Sequence, residues 1–147
     1  MKERAILLVE DNPDDEELTL VGLKRSGLPN EIHVVRDGNA ALDFLLAEGD
    51  YCDRDPKDIP ALILLDLKLP KIGGLDVLRK IRANPITSCV PVVILTSSNE
   101  NDDVVASYKM GVNSFVCKPV EFDRFVGAVK QLGLYWLLLN EPPTLGN

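Results

Sequence analysis

The sequence predicts an α/β fold in which five parallel strands form one doubly wound sheet with five helices on its two faces. Three observations carry this. Short apolar runs at 5–9, 61–65 and 90–95 lack polar alternation, as expected of strands covered on both sides. Stretches with helical spacing separate them. The chain of 147 residues, without repeats, low-complexity segments or a linker, suits one domain with its own core.

Each element has its own signal. After the strand at 5–9, Leu18, Val21, Leu23 and Leu28 mark a helix that Gly27 and Pro29 close. Pro13 opens it, and Asp14, Asp15, Glu16 and Glu17 occupy a first turn where the helix dipole favours acids. A weaker strand at Ile32–Val35 precedes a helix at 39–46, with Ala40, Ala41, Phe44 and Leu45 apolar and Gly49 just beyond. The polar stretch 48–60, EGDYCDRDPKDIP, reads as a loop longer than such connections usually are. The strand at 61–65 leads to a helix carrying Leu75, Val77, Leu78 and Ile81, stopped by Pro85. The strand at 90–95 leads to a helix at 101–110, closed by Gly111. A fifth strand, Ser114–Cys117, leads to a last helix at 121–140. Strand and helix alternate throughout, which implies right-handed crossovers between parallel strands. The whole of 1–147 reads as one domain with its core at 4–140, and the tail at 141–147, with Pro142 and Pro143, is expected to fray.

Composition narrows the function. A net charge of −7 argues against a nucleic-acid surface. No run of roughly 20 apolar residues exists for a membrane span, and the five apolar residues after Arg4 are too few for a secretory leader. Cys52, Cys89 and Cys117 are odd in number and far apart. They read as reduced thiols of a cytoplasmic protein, two of them buried. With His33 the single histidine, soft ligands for zinc are missing.

Ligands of an open doubly wound sheet bind beyond the carboxyl ends of its strands. There the chain places Glu10 and Asp11, then Asp66, then Thr96 with Ser97 and Ser98, then Lys118. Each has an ordinary reading. Glu10 and Asp11 can begin an acidic helix end, Asp66 can cap a turn before Pro70, Thr96 can be a strand residue, and Lys118 can be solvated. Their convergence on one edge favours a site. Carboxylates held together repel unless a cation intervenes. Oxygen ligands without His or Cys select Mg²⁺. A carboxylate so placed can act as a nucleophile toward phosphorus, with an ammonium and a hydroxyl stabilising the transferring group.

The segments VEDNPDD, DLKLPKIGG, ILTSS and FVCKP, in this order and spacing, resemble the signature of two-component response-regulator receiver domains over about residues 4 to 140. The resemblance implies a flavodoxin-like strand order 2-1-3-4-5. It also implies roles. Asp66 would be the phosphoacceptor. Glu10, Asp11, Asp66 and the backbone carbonyl of Lys68 would hold Mg²⁺. Thr96, the backbone amide of Ser97, and Lys118 would bind the phosphoryl group. Thr96 and Phe115 would be the switch pair, and Lys118-Pro119 a cis peptide. Pro70 and Gly74 match the family's turn. The chain departs from the common pattern at Phe115, which lacks the hydroxyl of a tyrosine, and at Lys68, a cation positioned to alter the dephosphorylation rate.

The family implies a sensor histidine kinase as phosphodonor. The last helix, the loop at 48–60 and the acidic start are similar to response regulators paired with phytochromes of cyanobacteria and other bacteria. With no residues past the last helix for an output domain, the expectation is a protein that acts by binding rather than as an enzyme. In the last helix Phe122, Phe125, Val126, Val129, Leu132, Gly133 and Trp136 form a core stripe. Leu134, Tyr135, Leu138 and Leu139 lie outside it, which predicts a homodimer through this helix. A dehalogenase-type phosphohydrolase would want an acid where Lys68 stands. A flavin carrier would want a Ser/Thr/Gly phosphate loop where Glu10 and Asp11 stand. A phosphate-independent scaffold would not need the full set of site residues.

Overall fold

The computed structural model describes residues 4–97, 100–118 and 121–141. Strands β1 (Ile6–Val9), β2 (Ile32–Val35), β3 (Leu62–Leu65), β4 (Val92–Thr96) and β5 (Ser114–Cys117) alternate with helices α1 (Pro13–Arg25), α2 (Gly38–Leu46), α3 (Gly74–Ala83), α4 (Asn101–Lys109) and α5 (Phe122–Leu134). The strands form one parallel sheet in the flavodoxin-like order β2-β1-β3-β4-β5.

Successive strand residues point to opposite faces, and each face is apolar. Leu7, Val9, Ile63, Leu65 and Ile94 pack with Phe44 and Leu45 of α2 and with Val77, Leu78 and Ile81 of α3. Ile6, Leu8, Leu62, Leu64, Val93 and Leu95 pack with Leu23 of α1 and with Phe125 and Val129 of α5. Helices α1 and α5 cross closely because Gly22 has no side chain. A Cβ there would lie 2.7 Å from Val129 Cβ.

The boundaries move for physical reasons. β4 starts after Pro91, which has no N–H to give the ladder, and it extends through Thr96, whose register partner is Cys117. α1 ends at Arg25, and Gly27 beyond it adopts φ 71°. The predicted last helix does not continue evenly to 140. Tyr135–Leu139 forms a π turn in which Asn140 N–H bonds the Tyr135 carbonyl at 2.8 Å. That wider turn rotates Trp136 and Leu137 against the α1 side of the core and leaves Tyr135, Leu138 and Leu139 exposed. Leu134 is half-buried. The expected core stripe holds at Phe125, Val126, Val129 and Gly133, with Leu132 and Trp136 half-buried. The side chain of Phe122, the peptide to Pro119 and the tail at 142–147 lie outside the described residues.

The loop at 48–60 is more organised than its composition suggests. It holds a 3-10 turn, Gly49–Tyr51. His33 on β2 stacks on Phe44 with centroids 4.4 Å apart, and its Nε2 lies 3.1 Å from the Tyr51 hydroxyl. The Arg54 guanidinium covers the other ring, 3.8 Å from the Phe44 centroid, and donates to the Phe44 and Asp58 carbonyls. Burial, then the Arg54 charge, holds His33 below its ordinary value.

The expectation of two buried cysteines is corrected, since all three are exposed. Cys52 lies in the long loop, Cys89 in the segment ahead of β4, and Cys117 at the end of an edge strand. No described helix is long and apolar enough to cross a membrane.

Candidate functional site

The ladder itself builds the site. Hydrogen bonding continues one residue past three strands. Glu10 N–H bonds the Val35 carbonyl at 3.0 Å, Asp66 N–H bonds the Val9 carbonyl at 3.1 Å, and Lys118 N–H bonds the Thr96 carbonyl at 2.7 Å. Three charged residues are thereby fixed side by side on the carboxyl edge, although 52 positions separate Asp66 from Lys118 and 108 separate Glu10 from Lys118.

The turn after β3 also holds Asp66. Gly74 N–H bonds the Leu67 carbonyl at 2.9 Å. A Cβ at Gly74 would lie 2.3 Å from the Asp66 carbonyl oxygen and 2.7 Å from Leu67 Cα. Only glycine lets α3 start this close to the strand end. Lys68 N–H donates to Asp66 Oδ1 at 3.3 Å, and the residue is exposed.

Glu10 is 2 % exposed and Asp66 8 %, whereas Asp11 is open to solvent. One carboxylate oxygen from each of the three lies within 4.8 Å of the others. Lys118 Nζ meets Glu10 Oε1 at 2.5 Å, Asp15 Oδ2 at 2.9 Å and Asp66 Oδ2 at 3.3 Å. Thr96 is fully buried, and its side chain hydrogen-bonds Asp66. Ser97 follows at an exposed position. Phe115, beside Ile94 in the register, is half-buried against the α2–α3 side of the core.

The charges divide by environment. Burial pushes the Glu10 carboxyl up to about 7, helped by Asp66 and opposed by Lys118. Burial acts upward on Asp66 too, but the Thr96 hydroxyl, Lys118, Glu10 and the Lys68 amide together hold it below the ordinary carboxylate value. Lys118 is raised, since its contacts with Glu10 and Asp15 and the Asp66 charge outweigh desolvation. The oxygen donor set fits a hard divalent cation, and the exposure of Asp11 leaves room for the waters Mg²⁺ retains.

A pH dependence follows for the cation. Without metal, folded Glu10 keeps its proton until about pH 7, while an unfolded chain releases it near 4.5. The unfolded state binds fewer protons across that window, so stability from this group falls as pH rises through it. Metal must displace the same proton. Mg²⁺ affinity, read by Trp136 fluorescence, is expected to be about tenfold weaker at pH 6 than at pH 8. A flat profile would show Glu10 already ionised in the free protein.

The expected residues converge: Glu10, Asp11, Asp66, Thr96 and Lys118 meet on one edge. Whether Asp14 or Asp15 reaches the site was open from the sequence; the contact of Asp15 with Lys118 was missed, because its place in the first turn of α1 already had a local explanation.

The response regulator receiver domain profile matches residues 6–130. Response regulator Rcp1 of Synechocystis sp. is 42 % identical over 134 residues, covering 91 % of this chain and 89 % of that protein. The crystal structure of the Mn(2+)-bound form of Rcp1 superposes with a TM-score of 0.88 at 40 % identity, covering 96 % of this chain and 99 % of the other. The phosphorylated cyanobacterial phytochrome response regulator RcpA gives 0.90 at 37 % identity, over 97 % and 99 % of the two chains. The bacteriophytochrome response regulator RtBRR gives 0.77 at 57 % identity, over 96 % and 84 %.

Proposed function

The chain belongs to the response regulator receiver domain family, and on that premise we propose that Asp66 accepts a phosphoryl group from a sensor histidine kinase in a Mg²⁺-dependent reaction. The observation that carries this is the placing of Asp66 between a buried ammonium, a buried hydroxyl and two further carboxylates. An Asp66 carboxylate oxygen forms a bond to phosphorus as the bond to the kinase histidine breaks, and the imidazole leaves with that electron pair. Lys118, the Thr96 hydroxyl and the Ser97 amide donate to the phosphoryl oxygens, where charge develops. Glu10, Asp11, Asp66 and the Lys68 carbonyl would hold Mg²⁺, which when bound supplies positive charge beside the same oxygens.

Phosphorylation adds about −1.5 to −2 charge at Asp66. Thr96 turns toward it, and Phe115 moves into the space released, changing the face made by α4, β5 and α5. The output is altered protein binding, not catalysis on another substrate. Exposed Tyr135, Leu138 and Leu139, with half-buried Leu134 beside them, support a homodimer through the end of α5. The phytochrome regulators among the similar structures support a phytochrome-type kinase as donor. Three exposed free cysteines suit the reducing cytoplasm.

The test is labelling by a small radioactive phosphodonor, with sedimentation before and after. Label is expected with Mg²⁺ and not with a chelator, together with a dimer. Absence of label with Mg²⁺ rejects phosphoacceptance. A monomer in both states at high concentration rejects the dimer alone.

A further inference from the structure

We propose that Asp15 is a positioning residue for the phosphoryl transfer: it draws the Lys118 ammonium toward α1 and away from Asp66, slowing the site. The inference rests on the reading of Asp66 as phosphoacceptor.

An ammonium has three N–H donors, and three carboxylates take them here. The contacts to Glu10 and Asp15 are 2.5 and 2.9 Å, while the contact to the reacting residue, Asp66, is the longest at 3.3 Å. Lys118 is 6 % exposed and Asp15 29 %, so water screens this pair only in part. Asp15 cannot drift with the lysine, because its backbone is fixed in the first turn of α1. The Asn12 side chain accepts its N–H at 3.1 Å, and the Thr19 hydroxyl donates to its carbonyl at 2.7 Å. The neighbouring acid, Asp14, lies in the same turn and is exposed, and is not among the three carboxylates on Lys118. Helix-dipole stabilisation accounts equally for both acids. The contact with Lys118 belongs to Asp15.

The arriving phosphoryl group is an anion that needs a Lys118 N–H. Asp15 competes for that donor and adds a negative charge beside a negative reactant. Without it the ammonium settles between Glu10 and Asp66, closer to where phosphorus is attacked. With acetyl phosphate as donor, the Asp66 oxygen bonds phosphorus while the acetate oxygen–phosphorus bond breaks and acetate leaves with the electron pair. Asp15 acts only through the lysine that stabilises this step.

The test measures the phosphorylation rate of the full chain with acetyl phosphate at saturating Mg²⁺. Asp15→Asn is expected to accelerate it about threefold to tenfold, Asp15→Glu to restore a rate near wild type, and Asp14→Asn to stay within about twofold. A second measurement needs neither metal nor donor. A double-mutant cycle of Asp15→Asn with Lys118→Met, read by denaturant unfolding of metal-free protein, is expected to show coupling. An unchanged or slower rate in Asp15→Asn, an equal acceleration in Asp14→Asn, or zero coupling overturns the proposal. If wild-type protein takes no label, the phosphoacceptor reading fails instead, and the metal-free cycle still decides whether Asp15 holds Lys118.

Discussion

Asp66→Asn is expected to reduce labelling, by a histidine kinase or a small phosphodonor, to background while the chain still unfolds cooperatively. The substitution keeps the size and shape of the side chain and removes the anionic oxygen that would attack phosphorus. Its carboxamide oxygen can still accept from Lys68 N–H, now 3.3 Å from Asp66 Oδ1. Lys118 keeps Glu10 and Asp15 as partners. Glu10 loses the Asp66 charge, one of the causes that raise it, and shifts back toward the ordinary range. Function and fold therefore separate in this variant. Label incorporation and thermal unfolding, measured on the same preparation, test it. Persistent label would move the phosphoacceptor elsewhere, and loss of cooperative unfolding would give the carboxylate a structural role it is not expected to have.

Gly74→Ala is expected to destabilise the protein by about 3 kcal/mol, as overpacking against rigid surroundings does. The added Cβ would meet the Asp66 carbonyl oxygen at 2.3 Å and Leu67 Cα at 2.7 Å. Both are backbone atoms and cannot rotate aside. The strand end or the start of α3 must shift, and the phosphorylation rate should fall with the stability. Gly73 is the internal control, because a Cβ there has its nearest atom at 3.9 Å and its φ of −67° suits any residue. Gly73→Ala should change stability by no more than about 0.5 kcal/mol. Denaturant midpoints compare the two. Equal losses would mean that lack of room at Gly74 does not govern this turn.

Much of the fold was legible because its physics is local or periodic. Buried parallel strands must be apolar on both faces, so Leu62, Ile63, Leu64 and Leu65 announce β3 without context. The grouping of Asp66, Thr96 and Lys118 is legible in the sequence because parallel topology sends every strand's carboxyl end to one edge. What stayed hidden has no local signature. Asp15 looks complete as a helix-end acid, and its second task requires a lysine 103 positions away. Cysteine's general preference for the interior misled for two of the three thiols, since Cys52, Cys89 and Cys117 are all exposed by their positions in loops and at an edge. Thr96 reads as the first polar residue after a strand, yet it pairs with Cys117 inside the ladder. Arg82 of α3 carries no pattern in the sequence that names its partners. It donates to the carbonyls of Ser88, Val90 and Gly111 and to the Asn113 side chain, a bracket between segments that only the fold brings together.

The ladder bond that seats Lys118 on Thr96 has a consequence for synthesis of the chain. The fifth strand emerges last, at an edge of the sheet, and delivers the ammonium to carboxylates made about a hundred positions earlier. Contacts of such long sequence separation form late in folding. A nascent or truncated chain lacking this strand can already carry Glu10, Asp11 and Asp66, but lacks the ammonium that meets Glu10 and Asp66 in the folded protein. On the reading of Asp66 as phosphoacceptor, competence to take a phosphoryl group is expected only once translation has passed Lys118 and the edge strand has docked. Unfinished chains, which expose apolar edges and aggregate readily, would on that reading take no label.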